Sequence, residues 1–106
     1  TLSMPPAAPK LLAFSATSRD DSTNARLLAR AVAHLIEAGA DVAMHPFLDF
    51  TLPLLMDQAV TEATLPEGGA RFLARLRASD GLVIASPEHN WSFPAALKNL
   101  IDWISC

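Results

Sequence analysis

The sequence contains very little cysteine. Cys106 is its single cysteine, so an intrachain disulfide is excluded and a reducing, cytoplasmic setting is expected. No apolar run approaches the roughly 18 residues that a membrane-spanning helix needs, so no membrane partner is expected. Basic residues are scattered and the formal net charge is -3, which argues against a nucleic-acid-binding surface. Hydrophobic residues, in contrast, make up 51% of the 106 residues, which is enough to form the core of one small domain.

Several common site signatures are also missing. The sequence lacks a Gly-x-Ser-x-Gly nucleophile motif, which disfavours hydrolysis. It has neither a P-loop lysine motif nor a Gly-x-Gly-x-x-Gly run, which disfavours nucleoside triphosphates and Rossmann-type dinucleotide binding. Met44 and Met56 are interpreted as core residues. No metal site is predicted, because metal-ligand spacing is absent among His34, His45, His89 and Cys106.

Short apolar runs alternate with helical periods along residues 10–106. The predicted strands cover 10–15, 41–45 and 82–85, and the predicted helices begin near 22–24, at 67 and at Pro94. Gly39 and Ser79 are expected to end the first two helices. Residues 1–9, with three prolines, are predicted to be a flexible leader, and 47–66 a long connection without a clean period.

The order β-α-β-α-β-α predicts an α/β fold with a doubly wound parallel sheet. The apolar stripes predict which helix residues face the core: Leu28, Val32, Leu35 and Ile36; Phe72, Leu73 and Leu76; Leu97, Leu100, Ile101 and Ile104. Trp103 is assigned either to the core or to a subunit contact. In a sheet of strand order 2-1-3, ligands bind where the order reverses, at the carboxyl ends of strands one and three.

The loop after strand one combines hydroxyl, amide and guanidinium groups with a helix N-terminus. These groups favour an anion such as a phosphate. The alternative is a capped surface loop with a solvated arginine. The candidate binding residues are Ser15, Thr17, Arg19, Ser22 and Asn24.

The loop after strand three is stiff and polar. The backbone around Pro87 can present N–H and C=O groups to the rim of a flat heterocycle. Glu88, His89 and Asn90 are candidates for catalysis, or else they hold the shape of the loop or face solvent, and for Glu88 the second interpretation is favoured.

These stretches resemble the NADPH-dependent FMN reductase family, which includes quinone, chromate and azo-dye reductases. Residues 16–24 are similar to its phosphate loop, Gly-Ser-x-Arg-x-x-Ser-x-Asn, and residues 87–92 to its ring loop, Pro-Glu-Tyr-Asn-x-Ser. The pattern Pro-x-x-Leu-Lys-Asn-x-x-Asp-Trp is intact over 94–103. The chain departs from the family at Ala16 and Trp91, where glycine is usual or frequent, and at His89, where tyrosine is usual.

The resemblance implies a flavodoxin-like fold and bound FMN, with NADPH or NADH as hydride donor. Thr17, Arg19, Ser22 and Asn24 would hold the FMN phosphate, with Ser15 in the same binding set, and residues 87–92 would line the ring. No catalytic side chain is implied, because the flavin itself does the redox work. A small acceptor such as a quinone, chromate or free flavin is expected, as is a homo-dimer or tetramer.

A flavodoxin-like sheet has five strands, and three are predicted here. The chain is therefore expected to be the N-terminal part of such a domain, with the C-terminal strands missing. Two alternatives remain open: a flavodoxin-type electron carrier, and a flavin-free interaction module.

Overall fold

Three parallel strands form the sheet. The computed structural model describes residues 7–17, 23–56, 58–90 and 92–105. Its strands are β1 (Lys10–Ser15), β2 (Asp41–Met44) and β3 (Gly81–Ala85), in the order β2-β1-β3. The register pairs Lys10 with Asp41 and Leu11 with Gly81. The predicted 2-1-3 order is confirmed, and the central position of β1 explains why its apolar run is continuous.

Helices cover both faces of the sheet. They are α1 (Thr23–Glu37), α2 (Glu67–Arg77) and α3 (Ala95–Ser105), with short 3-10 turns at Phe47–Phe50 and Glu62–Thr64. On one face α1 packs against the sheet, in a cluster of Ala13, Leu28, Val32 and Ala85. The opposite face carries the larger cluster of Leu12, Phe14, Ala16, Phe50, Phe72, Leu97 and Leu100. Successive residues of β1 thus serve opposite layers, as the alternation of a strand requires.

The first helix ends as its sequence predicts. Gly39 has φ of +104°, a conformation that costs a residue with a Cβ more than it costs glycine. The Gly39 N–H donates to the Ile36 carbonyl at 3.0 Å, and the Ala40 N–H donates to the Leu35 carbonyl at 2.9 Å. This pair of bonds is a Schellman motif, which satisfies carbonyls that the end of the helix would leave unpaired.

The connection between β2 and α2 is held by an aromatic cluster that the sequence pattern does not reveal. Phe47 stacks on Phe14 with ring centroids 5.8 Å apart, and Phe50 meets Phe14 edge-on at 5.7 Å. Phe50 also meets Phe72 of α2 at 5.0 Å and is only 2% exposed. Phe47 and Phe50 are therefore part of the core, although they lie in a segment without regular period.

Other boundaries and core assignments differ from the sequence prediction. β2 ends at Met44, although the His45 N–H still donates to the Ala13 carbonyl at 3.1 Å, and α2 ends at Arg77. Ile36 and Ile101 are exposed, because the faces of α1 and α3 that contact the sheet are narrower than the apolar stripes. Met44 and Met56 are exposed as well, so their assignment to the core is wrong.

The described residues contain neither a membrane-spanning helix nor a cluster of metal ligands. Among the helices of residues 7–17, 23–56, 58–90 and 92–105, none has the length and apolar character needed to cross a membrane. Within the same ranges, histidine, cysteine and acidic side chains form no group of three or more that could hold a metal ion.

Candidate functional site

A cleft of about 480 Å³ opens at the carboxyl ends of β1 and β3. Ala16 and Thr17 line it after β1, and Pro87 and His89 line it after β3. The remaining described lining comes from the connection after β2 and from the start of α3: Phe47, Leu48, Phe50, Thr51, Leu52, Pro94, Ala95, Ala96, Asn99 and Leu100. The volume is typical of a site for a small molecule or cofactor, and the location is the point where strand order reverses.

The loop after β3 is closed by its own backbone. The His89 N–H donates to the Ser92 carbonyl at 2.8 Å, and the Ser92 N–H donates to the His89 carbonyl at 3.1 Å. Asn90 lies inside this tight turn with φ of +52°, a conformation that asparagine tolerates better than most residues. The turn fixes the backbone that carries Pro87 and His89 into the cleft, and Ser92 contributes to it through main-chain atoms.

The loop after β1 starts from a well-anchored position. The Ala16 N–H donates to the Ala85 carbonyl at 2.8 Å, which ties the end of β1 to the end of β3. Ala16 is buried, and among the described non-glycine residues a positive φ occurs at Asn90 alone. Alanine in place of the usual glycine therefore causes no backbone strain at this position.

Ser15 carries a hydroxyl whose hydrogen-bonding capacity is unused among the described residues. Its Oγ is buried and has no hydrogen-bond partner in that part of the chain. Ser15 alternates with Ala16, so its side chain lies on the sheet face that α1 covers. A buried hydroxyl without a partner costs free energy, and a ligand oxygen at the carboxyl end of β1 would satisfy it.

The structure brings together only part of the predicted site. Thr17, Pro87 and His89 line the cleft. Asn24 lies half-buried in the first turn of α1, and Glu88, Asn90 and Ser92 are exposed. These four residues and Ser15 are not among the described lining residues of the cleft. Arg19, Ser22 and Trp91 lie outside the described residues.

The described lining residues of the cleft include no set of groups for acid–base or nucleophilic catalysis. Among the described lining residues, His89 is the one ionisable side chain, and the polar groups beside it are the Thr17 and Thr51 hydroxyls and the Asn99 amide. The remaining lining side chains are apolar. Such a surface suits a flat ring held by apolar contact and a few hydrogen bonds, with its chemistry supplied by the ligand.

Two residues that contact the cleft wall were not among the predicted site residues. Asn99 of α3 lines the cleft and bonds to the connection after β2, and Trp103 bonds to the same segment. The signal for them is present in the motif at 94–103, which has an amide and an indole four residues apart on one helix face.

Comparison with known proteins gives a consistent result. The family model described as NADPH-dependent FMN reductase matches residues 9–106. The chain is 33% identical over 96 residues to an NAD(P)H-dependent FMN reductase of Pseudomonas aeruginosa, covering 91% of this chain and 50% of that protein. It is 38% identical over 84 residues to a quinone reductase of Pseudomonas putida, covering 79% and 43% respectively.

A solved structure shares the fold. The flavoenzyme NAD(P)H:(acceptor) oxidoreductase FerB of Paracoccus denitrificans matches with a TM-score of 0.71 and 28% identity, over 93% of this chain and 52% of that one. The chain thus spans about half the length of the curated relatives it matches. Because the family model covers nearly the whole chain, the chain belongs to the NADPH-dependent FMN reductase family.

Proposed function

We propose that this chain forms the FMN cleft of an NAD(P)H-dependent oxidoreductase that passes electrons to a small acceptor such as a quinone. The observation that carries the proposal is the cleft itself, which lies between the ends of β1 and β3 and contains no catalytic acid–base set among its described lining residues. When bound, FMN supplies the redox chemistry, by accepting a hydride from the nicotinamide and passing the electron pair to the acceptor.

The residues present fit this cofactor. The Ser15 hydroxyl, which has no partner among the described residues, lies at the end of β1 on the face that α1 covers, and Thr17 lines the cleft where the family's phosphate loop begins. Asn24 lies in the first turn of α1, whose N–H groups favour an anion, and Arg19 and Ser22 of the same loop motif complete the phosphate ligands.

The chain's own residues would bind the cofactor and orient its ring. The closed turn at His89–Ser92 holds Pro87 and His89 along the cleft, so that the ring would meet a preformed surface. The apolar wall after β2 would limit the access of water to one side of the bound cofactor. Glu88 and Asn90 are exposed, so we assign them to the shape of the loop and to the outer rim of the site.

The test begins with flavin content and continues with turnover. The purified protein should be yellow or become yellow on reconstitution with FMN, and it should consume NADPH when a quinone is supplied. Since donor and acceptor would use the same ring in turn, initial rates should give parallel double-reciprocal lines. Intersecting lines would contradict alternate use of one site. Flavin binding without NADPH consumption would instead identify an electron carrier, and absence of flavin binding would overturn the proposal.

We also propose that the protein is a cytoplasmic homo-oligomer. The connection after β2 exposes Leu48, Leu54 and Met56, each of them more than three-fifths accessible, beside the cleft. Exposed apolar side chains concentrated on one segment are typical of an interface between subunits. Sedimentation analysis of the FMN-loaded protein should give a dimer or tetramer, and a strictly monomeric species would contradict this expectation.

A further inference from the structure

The wall of the cleft contributed by the connection after β2 is anchored in two different ways. Its first part is held by Phe47 and Phe50, whose rings pack on Phe14 in the core. Its second part, residues 51–55, contains no aromatic residue; Leu52 packs against the core, and the Pro53 carbonyl and the Leu55 N–H bond to α3. The two parts therefore differ in their anchors, because only the second is tied to α3 by hydrogen bonds.

Asn99 and Trp103 make the bonds to this second part. The Leu55 N–H donates to Asn99 Oδ1 at 2.9 Å, and Asn99 Nδ2 donates to the Pro53 carbonyl at 3.0 Å. Trp103 Nε1 donates to the same Pro53 carbonyl at 2.8 Å. The carboxamide of Asn99 acts as donor and acceptor at once, through its nitrogen and its oxygen respectively.

Two of these bonds, Leu55 to Asn99 and Trp103 to Pro53, are partly buried, and the bond from Asn99 to Pro53 is exposed. Trp103 is 4% exposed and Asn99 is half-buried, and their four-residue spacing places both on the face of α3 that meets the connection. Loss of Asn99 would leave the half-buried Leu55 N–H without its partner, which is costly and favours displacement of the segment toward water. Loss of the indole would remove a second link between α3 and the segment. Asn99 also lines the cleft, which couples the segment to the ligand surface through one side chain.

We propose that Asn99 and Trp103 are positioning residues, which hold residues 51–55 against α3 and thereby preform the wall of the FMN cleft. The proposal deepens the proposed function and rests on it for the identity of the ligand. In the folded protein the pair keeps the wall ordered before the ligand binds, so that the entropic cost of ordering the wall does not weaken the binding. Without the pair, the protein still folds around the Phe14 cluster, but its wall opens locally.

The experiment compares three variants with a control on the same helix. Asn99→Leu removes both amide bonds, Asn99→Asp retains an acceptor for Leu55 N–H but loses the donor to Pro53, and Trp103→Phe removes the indole donor while keeping a buried ring. The control is Lys98→Gln, which breaks only the exposed ion pair with Asp102. Each protein is measured by amide hydrogen exchange in the apo form and by titration with FMN, with the affinity corrected for the folded fraction.

We expect exchange at the Leu55 amide to rise at least tenfold in Asn99→Leu, with β1 amides nearly unchanged, and FMN to bind about tenfold more weakly. Asn99→Asp should retain protection at Leu55 yet still bind FMN more weakly, and Trp103→Phe should weaken binding about threefold. Lys98→Gln should match the parent in both measurements.

Two results would overturn the assignment. Exchange at Leu55 that rises only in step with β1 would show a global loss of stability, and unchanged FMN affinity in both Asn99→Leu and Trp103→Phe would show that the wall does not depend on the pair. If the parent itself does not bind FMN, the proposed function and the ligand part of this inference fail together. The exchange pattern then decides separately whether the pair orders residues 51–55.

Discussion

Replacement of Gly68 by alanine should destabilise the protein, although the same change usually stabilises a helix. Gly68 lies in the first turn of α2 and is buried. A Cβ built on it would lie 2.1 Å from the carbonyl oxygen of Thr51, and real Cβ atoms essentially never approach a neighbour within 3.0 Å. The obstructing atom belongs to the backbone, so rotation of a side chain cannot relieve the clash.

The expected magnitude follows from two opposing effects. Alanine gains about 1 kcal/mol over glycine in a helix interior. Relief of the clash requires Thr51 and α2 to separate by about 1 Å, and overpacking of this kind costs roughly 1–3 kcal/mol or more. Because backbone must move, we expect the upper part of that range, which leaves a net loss of about 1–2 kcal/mol. For a domain of this size each kcal/mol lowers Tm by about 4–8 °C.

The chain offers two matched controls for this measurement. A Cβ at Gly69 would meet only side-chain methyl groups, those of Leu52 at 3.1 Å and Leu65 at 3.3 Å, which can shift. Gly69→Ala should therefore be close to neutral, since helix propensity offsets the repacking. Gly39→Ala meets no atom within 4 Å but must adopt φ near +104°, which costs about 1 kcal/mol through strain alone.

Urea unfolding followed by circular dichroism would rank the three variants. The predicted order of lost stability is Gly68→Ala, then Gly39→Ala, then Gly69→Ala. A Gly68→Ala protein as stable as the parent would refute the reasoning, because it would mean that α2 does not approach Thr51 as closely as the structure shows. Thr51 also lines the cleft, so the same variant should bind FMN more weakly.

Three further predictions follow from the loops and from the edge of the sheet. Ser15→Ala should leave the apo-protein as stable as the parent or slightly more stable, because it removes a buried hydroxyl without a partner among the described residues. The same variant should bind FMN more weakly in a fluorescence titration. Equal FMN affinity would show that this hydroxyl does not meet the ligand. Arg19→Ala should weaken FMN binding by roughly 10- to 100-fold with the apo Tm nearly unchanged, as expected for the loss of a charge-assisted bond, and equal affinities would contradict a phosphate role. In the described part of the chain β3 is an edge strand that exposes Leu82 (42%) and Ile84 (38%). The expressed 106-residue chain should therefore associate in size-exclusion chromatography. The variant Leu82→Lys should reduce that association, whereas the control Leu27→Lys on α1 should not. A monomer near 11 kDa with full flavin occupancy would contradict this last prediction.

The parts of the fold that could be predicted are those in which a local pattern and the tertiary environment agree. β1 is a continuous apolar run because it is paired on both edges and covered on both faces. The end of α1 could be predicted because Gly39 supplies a backbone conformation that few other residues tolerate. Ile36 and Ile101 are exposed although they belong to apolar stripes, because a stripe indicates which residues are able to face a core and not how wide the covering layer is.

The connection after β2 could not be predicted, for a different physical reason. Phe47 and Phe50 enter the core from a 3-10 turn, so no period of 2 or 3.6 marks them. From helix propensity alone, Gly68 indicates a weak start for the helix. In the structure its missing Cβ is what allows α2 to approach Thr51. The function of such residues depends on a contact between segments far apart in sequence, and a local pattern does not encode it.

The candidate site likewise has one part that a local sequence pattern predicts and another part that depends on contacts between distant segments. Its two loops are recognisable because Ser15, Thr17 and residues 87–92 follow the strands that the topology brings side by side, so sequence position alone places them at one edge of the sheet. The third wall requires a helix at 95–105 to bond to a segment more than forty residues earlier, through Asn99 and Trp103. Their four-residue spacing on α3 is visible in the sequence, but the partner carbonyl of Pro53 is not. A polar residue and an indole on the inward face of a helix therefore indicate that a neighbouring backbone segment forms hydrogen bonds with them, because a buried amide or indole N–H is rarely left without an acceptor.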